Sequence, residues 1–267
     1  MDYIDFDQSG RTIKKRLFKY YPLRDYHIEA FFNDQLFFAK PFSFNDAFDT
    51  SDKLIEPFNG FREAIKWDDK KSGLLNTHGI VSFIEDDDAK NGRMWSFYAG
   101  NFNGFVLQFD SSALSKKEYY PIHLIPVKYL HAPLNLDDFT LRLRINECEF
   151  SIQDVVKNVG FDRLLLDRLF HCIHLEKDSN IWEEENEWRM ILGDVTPQHV
   201  SIKEHKNGYL LKMTGNSIQA LFIGYRVSLK DRQTLLSIAY SKGIECFLAT
   251  PKIINNQWDI DIVPLYL

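Results

Sequence analysis

The chain has 267 residues, of which 45% are hydrophobic and 15% aromatic, so it can bury a sizeable core as one large domain or two small ones. Its net charge of -6 gives no global signal for nucleic-acid binding, although a local basic patch would not show in that average. No apolar run approaches the ~20 residues of a membrane span, and the acidic start MDYIDFDQSG is unlike a secretory signal. We expect a globular cytoplasmic protein without a membrane partner. Its 3 cysteines lack metal-site or disulfide spacing.

In the first part of the chain, short apolar runs alternate irregularly with helical patterns. Helices are predicted at 25–33 and 92–101 from apolar residues at helical spacing. Strands are predicted at 17–21, 36–39, 79–84 and 104–109. A turn or short helix follows at 41–49, where proline, asparagine and aspartate dominate.

The second part adds further strands and two helices. A helix is predicted within 152–176, and Ser228 caps a second at 229–240. Strands are predicted at 122–129, 187–192, 200–202, 209–213, 220–223 and 244–248. The strands at 200–202 and 209–213 are expected to pair as a hairpin across Asn207-Gly208. This order favours an α+β fold of mixed, largely antiparallel sheets with flanking helices. We expect a single domain over 1–267, with 110–151 as a candidate insertion or lid.

The stretch WEEENEWR at 182–189 combines four glutamates with two tryptophans and then changes abruptly to apolar residues. In a strand, Glu185 and Glu187 would point to the same side, because side chains alternate. One such carboxylate beside aromatic rings could stabilise a developing positive charge on a sugar carbon or hold a sugar hydroxyl. The alternative is an exposed acidic turn, which is the usual location of charged residues.

Three other groups are candidate ligand contacts. Trp95 and Tyr98 lie three apart on one helix face, where such a stripe is more often core than a ligand clamp. Lys19-Tyr20 places a cation beside an aromatic ring on the first strand. Asn45 lies in the turn and could reach a polar ligand from a loop.

Metal binding has weak support from the sequence, and we expect no metal. His171 and His174 could share a helix face but lack a third ligand at suitable spacing. The acids Asp46, Asp49, Glu185 and Glu187 could be assembled around a divalent cation, but no lysine follows two residues after the relevant acid. A metal-dependent nuclease is therefore the third choice of function.

Four blocks resemble a widespread bacterial family of unknown function, which is similar to abortive-infection phage-defence proteins of the AbiGi type. The blocks are LFKY (17–20), FAKPFSFNDAFD (38–49), MWSFYA (94–99) and WEEENEWR (182–189). The order of these blocks also resembles, more distantly, that of ADP-ribosyltransferases. The first resemblance implies a phage-defence role, with an antitoxin or a phage protein as a partner.

The second resemblance implies a fold like that of ADP-ribosyltransferases and the use of NAD. Glu187 would be the catalytic glutamate that stabilises an oxocarbenium-like transition state, and Glu185 the upstream acid of an E-x-E pair. Tyr98 would stack on nicotinamide, and Lys19 would be the first-strand residue. The residues expected to bind the cofactor are Lys19, Tyr20, Asn45, Ser82, Trp95 and Tyr98.

Two functions from different classes therefore follow. The first is an NAD-dependent ADP-ribosyltransferase acting on a nucleic-acid or protein acceptor. The second is a non-catalytic defence module that binds a nucleotide or a protein through the same aromatic and acidic residues. Turnover of NAD distinguishes the two.

Overall fold

The computed structural model describes residues 3–4, 14–44, 46, 49, 78–86, 88–116, 122, 124–131, 143–145, 148–150, 176–193, 202–213, 217–254 and 256–266. The chain divides into two compact units. Unit 1 comprises Met1–Thr12, Phe38–Ile80 and Pro121–Thr196, and unit 2 comprises Ile13–Phe37, Val81–Tyr120 and Pro197–Leu267.

The described elements, in chain order, are mostly strands. The strands are β1 (Tyr3–Ile4), β2 (Arg16–Pro22), β3 (Gln35–Ala39), β4 (Gly79–Ile84), β5 (Gly104–Asp110), β6 (Leu124–Pro126), β7 (Lys128–Leu130), β8 (Leu143–Ile145), β9 (Cys148–Phe150), β10 (Glu176–Asp178), β11 (Glu187–Leu192), β12 (Ile202–His205), β13 (Gly208–Lys212), β14 (Ile218–Gly224), β15 (Glu245–Ile254) and β16 (Gln257–Pro264). The helices are α1 (Asp25–Phe32), α2 (Gly92–Phe97), α3 (Ser111–Leu114), α4 (Ser179–Trp182) and α5 (Leu229–Ser241), with 3-10 turns at Pro41–Ser43 and Glu183–Glu185.

Unit 2 is built on a sheet in the order β12-β13-β3-β4-β2-β5-β14-β15-β16, in which β3 and β4 also extend into unit 1. Strands β2, β5 and β14 pair antiparallel, as do β15 and β16. Strands β14 and β15 are parallel because α5 carries the chain back between them. The predicted α+β fold with largely antiparallel sheets is confirmed.

The core of unit 2 packs around Trp95, which is fully buried. Its ring stacks on Phe102 at 5.0 Å, and its indole N–H donates to the Ala89 carbonyl at 2.7 Å. Helix α2 begins after Asn91, whose side-chain oxygen accepts from the backbone N–H groups of Arg93 and Met94. This cap satisfies two backbone N–H groups in the first turn of α2.

Strands β6 and β11 of unit 1 belong to the large sheet, in which β11 pairs antiparallel with β6 and also pairs with β4. Strand β10 pairs in parallel with β7 in a separate two-stranded sheet. Strands β1, β8 and β9 form an antiparallel three-stranded sheet. The strand predicted at 187–192 is confirmed as β11, and all six of its residues are buried. Ile80, Ile125 and Ile191 form a core cluster against which Phe44 packs.

Several predicted boundaries differ from the structure. Helix α2 ends at Phe97 rather than at 101, because Gly100, Asn101 and Phe102 have positive φ angles. The strand predicted at 122–129 is divided into β6 and β7, which flank Val127. Strand β16 was not predicted.

Other predictions stay predictions. The helix predicted within 152–176 lies outside the described residues except at Glu176, which begins β10 instead. Much of the lid predicted at 110–151 also lies outside them. A compact unit is not by itself an independently folding domain, so the division does not decide the single-domain prediction. Within the described ranges, no helix is long and apolar enough to cross a membrane.

Candidate functional site

A sharp turn brings Glu185 and Glu187 together in unit 1. Glu185 ends the 3-10 turn, Asn186 adopts a left-handed conformation with φ of 49°, and Glu187 begins β11. Asparagine tolerates this conformation better than most residues. Both carboxylates accept hydrogen bonds from the Lys177 ammonium, at 2.7 Å for Glu185 and 3.1 Å for Glu187. The two acids therefore meet on one side, as predicted, although Glu185 is not in a strand.

Arg189 joins the same cluster from two residues further along β11. Its Nε donates to Glu187 at 2.7 Å, while Nη1 and Nη2 donate to the two oxygens of Asp49 at 2.8 and 2.6 Å. The Arg189–Asp49 contact is the bidentate arrangement that planar guanidinium and carboxylate groups favour. The buried charge network is defined as Asp49, Lys177, Glu185, Glu187 and Arg189, which are between 1% and 8% exposed.

The network keeps both of its cations protonated. Burial lowers the pKa of Lys177, but the carboxylates of Glu187, Asp49 and Glu185 outweigh burial and raise the pKa above its ordinary value. Burial likewise lowers the pKa of Arg189, and Asp49 and Glu187 raise it well above the usual range. The ion pairs are thus maintained at neutral pH.

Aromatic side chains surround these charges. The Lys177 ammonium lies 4.5 Å from the centre of the Trp182 ring, a cation–π contact. The Arg189 guanidinium lies 5.8 Å from the Phe44 ring. The Tyr129 hydroxyl accepts from the Glu187 backbone N–H at 2.9 Å, and burial, followed by the nearby Glu187 charge, raises the pKa of Tyr129. Glu187 is therefore held through both its backbone and its carboxylate.

This arrangement presents oriented carboxylates in a region shielded from water. Electrostatic effects are stronger there than in bulk water, and fixed groups need little reorganisation when a charge develops nearby. The same contacts also bind each Glu187 oxygen to a cation, Oε1 to Arg189 and Oε2 to both Lys177 and Arg189. A ligand would have to compete with these bonds.

The other predicted site residues lie in unit 2, except Asn45, which lies outside the described residues. The Lys19 ammonium donates to the Ser82 carbonyl at 3.2 Å, so these two are brought together. Tyr20 and Trp95 meet edge to face at 5.6 Å, and Tyr98 packs against the same core cluster.

The aromatic residues of this set belong mainly to the core. The Tyr20 hydroxyl donates to Asp86, and Trp95 is fully buried. This matches the alternative interpretation, in which the aromatic stripe of α2 is core. Lys19, Ser82 and Tyr98 are partly exposed, and their cofactor contacts stay predictions.

Sequence reasoning missed Lys177, Arg189 and Tyr129 as members of the site. Arg189 carried a detectable signal, because it lies two residues after Glu187 and so shares its side of a strand. Lys177 and Tyr129 come from β10 and β7, and only the parallel pairing of these strands brings them to the same place. Among the described residues, no group of three or more His, Cys, Asp or Glu side chains is placed to hold a metal ion.

Comparison with known proteins finds a family match over one segment of the chain, which is less than half of its length. Neither the curated proteins nor the solved structures include a significant match. The segment of the chain that matches a family model contains Trp95, Tyr98 and all residues of the buried charge network except Asp49. This finding fits the expected relation to a family of unknown function. Residues 94–190 match the family described as "Protein of unknown function (DUF2971)".

Proposed function

We propose that this protein transfers ADP-ribose from NAD to a nucleic-acid or protein acceptor, with Glu187 as the catalytic residue. The observation that supports this proposal is the convergence of the Glu185 and Glu187 carboxylates on Lys177 in a buried environment. A glutamate pair of this kind offers oxygen acceptors for the hydroxyls of a ribose. The proposed role in phage defence rests only on the resemblance of the sequence blocks.

In this mechanism, the bond between the ribose carbon of NAD and nicotinamide would break with the electron pair leaving on nicotinamide. A nucleophilic oxygen or nitrogen of the acceptor would form the new bond to that carbon and lose its proton to solvent. The Glu187 carboxylate would stabilise the positive charge that develops on the ribose carbon. Arg189 and Lys177 would act as positioning residues, because they fix the Glu187 oxygens. Glu187 is 3% exposed, so the mechanism requires NAD binding to uncover it.

The test is release of nicotinamide from NAD by the purified protein, alone and with cell extract to supply an acceptor. The wild type should release nicotinamide, and Glu187→Gln should lower the rate by about 10²–10³-fold if its charge stabilises the transition state. Glu183→Gln is the matched control, since Glu183 is an exposed acid in the same 3-10 turn. It should keep the wild-type rate.

A folded wild-type protein that releases no nicotinamide under either condition would refute the transferase proposal. Urea unfolding of each variant separates a lost catalytic charge from a lost fold, because Glu187 is also part of the buried charge network. Glu187→Gln is interpreted only where its unfolding curve shows a folded protein at the assay temperature.

A second candidate is favoured by the burial of Glu187 and by the cations bound to both its oxygens. In this function the protein is a non-catalytic module that binds a nucleotide or a protein, and the charge network supports the binding surface. Calorimetry with NAD distinguishes the candidates, since saturable heat without nicotinamide release favours the binding module.

A further inference from the structure

Unit 2 contains a concave pocket of about 460 Å³ on one face of its sheet. This volume lies within the range of small-molecule sites. The pocket is lined by residues of β2, β5, β14, β15 and β16, together with Asp88 and Lys90 from the segment before α2. None of the residues predicted to bind NAD lines it.

Strand register determines the shape of the pocket floor. Gln108 on β5 lies opposite Ala220 on β14, and Ala220 lies opposite Glu245 on β15. Residues directly opposite one another share a face of the sheet, and neighbouring strands are ~4.8 Å apart. The Cα atoms of Gln108 and Glu245 are therefore roughly 10 Å apart, because two strand spacings separate them. The small Ala220 side chain between them leaves the floor open.

Beside this row the floor is apolar and partly aromatic. Phe222 on β14 lies opposite Phe247 on β15, and the two rings stack at 5.0 Å with an interplanar angle of 19°. Ile260 and Ile262 on β16 continue the apolar surface. Phe222 and Ile260 are already buried, so a flat ring on this floor would cover apolar area mainly on the partly exposed Phe247 and Ile262.

Two polar side chains on the floor have no partner among the described residues. Gln108 is partly buried in the row between Phe18 and Ala220, and its side chain makes no hydrogen bond there. Glu245, an exposed residue at the other end of the row, makes no hydrogen bond or ion pair with any residue that the structure describes. In contrast, Arg16 is paired with Asp88, and Asp261 with Lys252. The Gln108 amide has both hydrogen-bond donors and an acceptor. On an apolar floor it favours a ligand that accepts one hydrogen bond from it and donates another to it.

We propose that this pocket binds an adenine nucleoside. The base would lie on the Phe222 and Phe247 side of the floor, and the Gln108 amide would pair with its amino group and ring nitrogen, the usual pairing of glutamine with adenine. The ribose hydroxyls would donate to the Glu245 carboxylate, as they do to acidic residues in dinucleotide sites.

The charge of the lining selects the nucleoside over its phosphates. The pocket is lined by three carboxylates, Asp88, Glu245 and Asp261, and by two cations, Arg16 and Lys90. A 5′-phosphate near Glu245 would be repelled, because like charges at short range disfavour binding. This site is independent of the proposed transferase centre, since it uses neither Glu185 nor Glu187.

Calorimetry at pH 7 with adenosine, inosine and AMP tests the proposal on the full chain. Adenosine should bind with a Kd on the order of 10⁻⁴ M, as expected for a ligand of this size. Inosine should bind about tenfold more weakly, because its oxo group replaces the amino donor read by Gln108. AMP should also bind more weakly than adenosine.

Variants assign the binding to this pocket. Gln108→Met should weaken adenosine binding about tenfold by removing the amide while keeping the side-chain length. Ala220→Leu should abolish binding by filling the floor. The matched control is Gln219→Met, an exposed glutamine next to Ala220 in β14 that does not line the pocket. It should bind adenosine as the wild type does.

Three results would overturn the proposal. The first is a folded wild-type protein that gives no binding heat with adenosine at millimolar concentration. The second is AMP binding as tightly as adenosine, and the third is Gln108→Met binding adenosine as the wild type does. Adenosine binding by Gln108→Met tests the proposal even if Ala220→Leu fails to fold. The Glu187→Gln variant should still bind adenosine, because Glu187 does not line the pocket. The test of the pocket therefore does not depend on the test of the transferase proposal.

Discussion

At the scale of single residues, the buried charge network poses the main question about this protein. Burying an ion pair costs a desolvation penalty that its attraction often only balances, so such a network is weak support for a role in stability. Removing one partner is different, because it leaves an uncompensated charge in the interior. The network thus constrains Glu187 firmly whether or not it also contributes to net stability.

Arg189→Met should destabilise the protein by about 3–5 kcal/mol, because Asp49 and Glu187 would each lose a buried guanidinium contact. Urea unfolding at pH 7 measures the change. Lys230→Met is the matched control, since Lys230 is an exposed cation at the start of α5, and it should change the unfolding free energy by less than ~0.5 kcal/mol. Equal unfolding free energies for the two variants would contradict the arrangement described here.

At the scale of elements, the sequence predicted most strands and helices because their hydrophobic patterns are local. The Asn91 cap and the Ser228 cap each precede a helix, and Ser228 accepts from the Asp231 N–H as its position indicates. Strand β16 was missed although Trp258, Ile260 and Ile262 alternate with two aspartates after an asparagine turn. That signal was available in the sequence.

The site was less predictable than the elements for a physical reason. The shared side of Glu185 and Glu187 was predicted from strand alternation, but the structure brings the two carboxylates together through a 3-10 turn and the left-handed Asn186. Lys177 and Asp49 reach the same carboxylates from separate segments, and pairing over such distances depends on the tertiary fold. Periodicity carries no information about contacts of this kind.

Helix α1 contains a titratable contact that gives a prediction at the same scale. His27 Nδ1 donates to the Pro22 carbonyl at 2.9 Å, and the ring packs on Tyr21 and Tyr26. Burial lowers the pKa of His27 to about 4, against the hydrogen bond to Pro22, and the charges of Lys19 and Arg24 lower it further. In the unfolded chain, the pKa of the His27 imidazole is about 6.5. Stability from this group is therefore complete above pH 6.5 and is lost as the pH falls from 6.5 to 4.

The expected loss over this range is about 3 kcal/mol of unfolding free energy for the wild type. His27→Gln should remove that part of the pH dependence, because it has no imidazole to protonate. The control His205→Gln removes an exposed imidazole and should retain the loss. Urea unfolding at several values between pH 7 and pH 4 measures all three proteins. Identical slopes for the wild type and His27→Gln would contradict the burial of this ring.

At the scale of the whole molecule, the two compact units are interleaved along the chain. Each consists of three separate segments, and the chain passes between them at residues 12–13, 37–38, 80–81, 120–121 and 196–197. The family match at 94–190 likewise includes residues of both units. No cut at a single peptide bond can therefore yield one complete unit without part of the other.

Truncation after Thr196 tests how far the fold depends on this interleaving. The truncated chain lacks β14, which pairs with β5 over five residue pairs, and it lacks the core residues Ala220, Phe222 and Ile260. The amides of β5 should then exchange with solvent nearly as fast as in an unfolded chain, as hydrogen exchange can measure. A chain ending at Leu265 is the control, because Tyr266 is 87% exposed and its removal should leave β5 protected.

The same exchange experiment addresses the single-domain prediction. A single cooperative domain loses protection everywhere when part of its core is removed. If the chain is one domain, the amides of β11 in unit 1 should lose protection together with those of β5 in the truncated protein. Protection retained in β11 but lost in β5 would mean that the units unfold separately. In that case the buried charge network could be studied in a fragment that lacks the adenosine pocket proposed in unit 2.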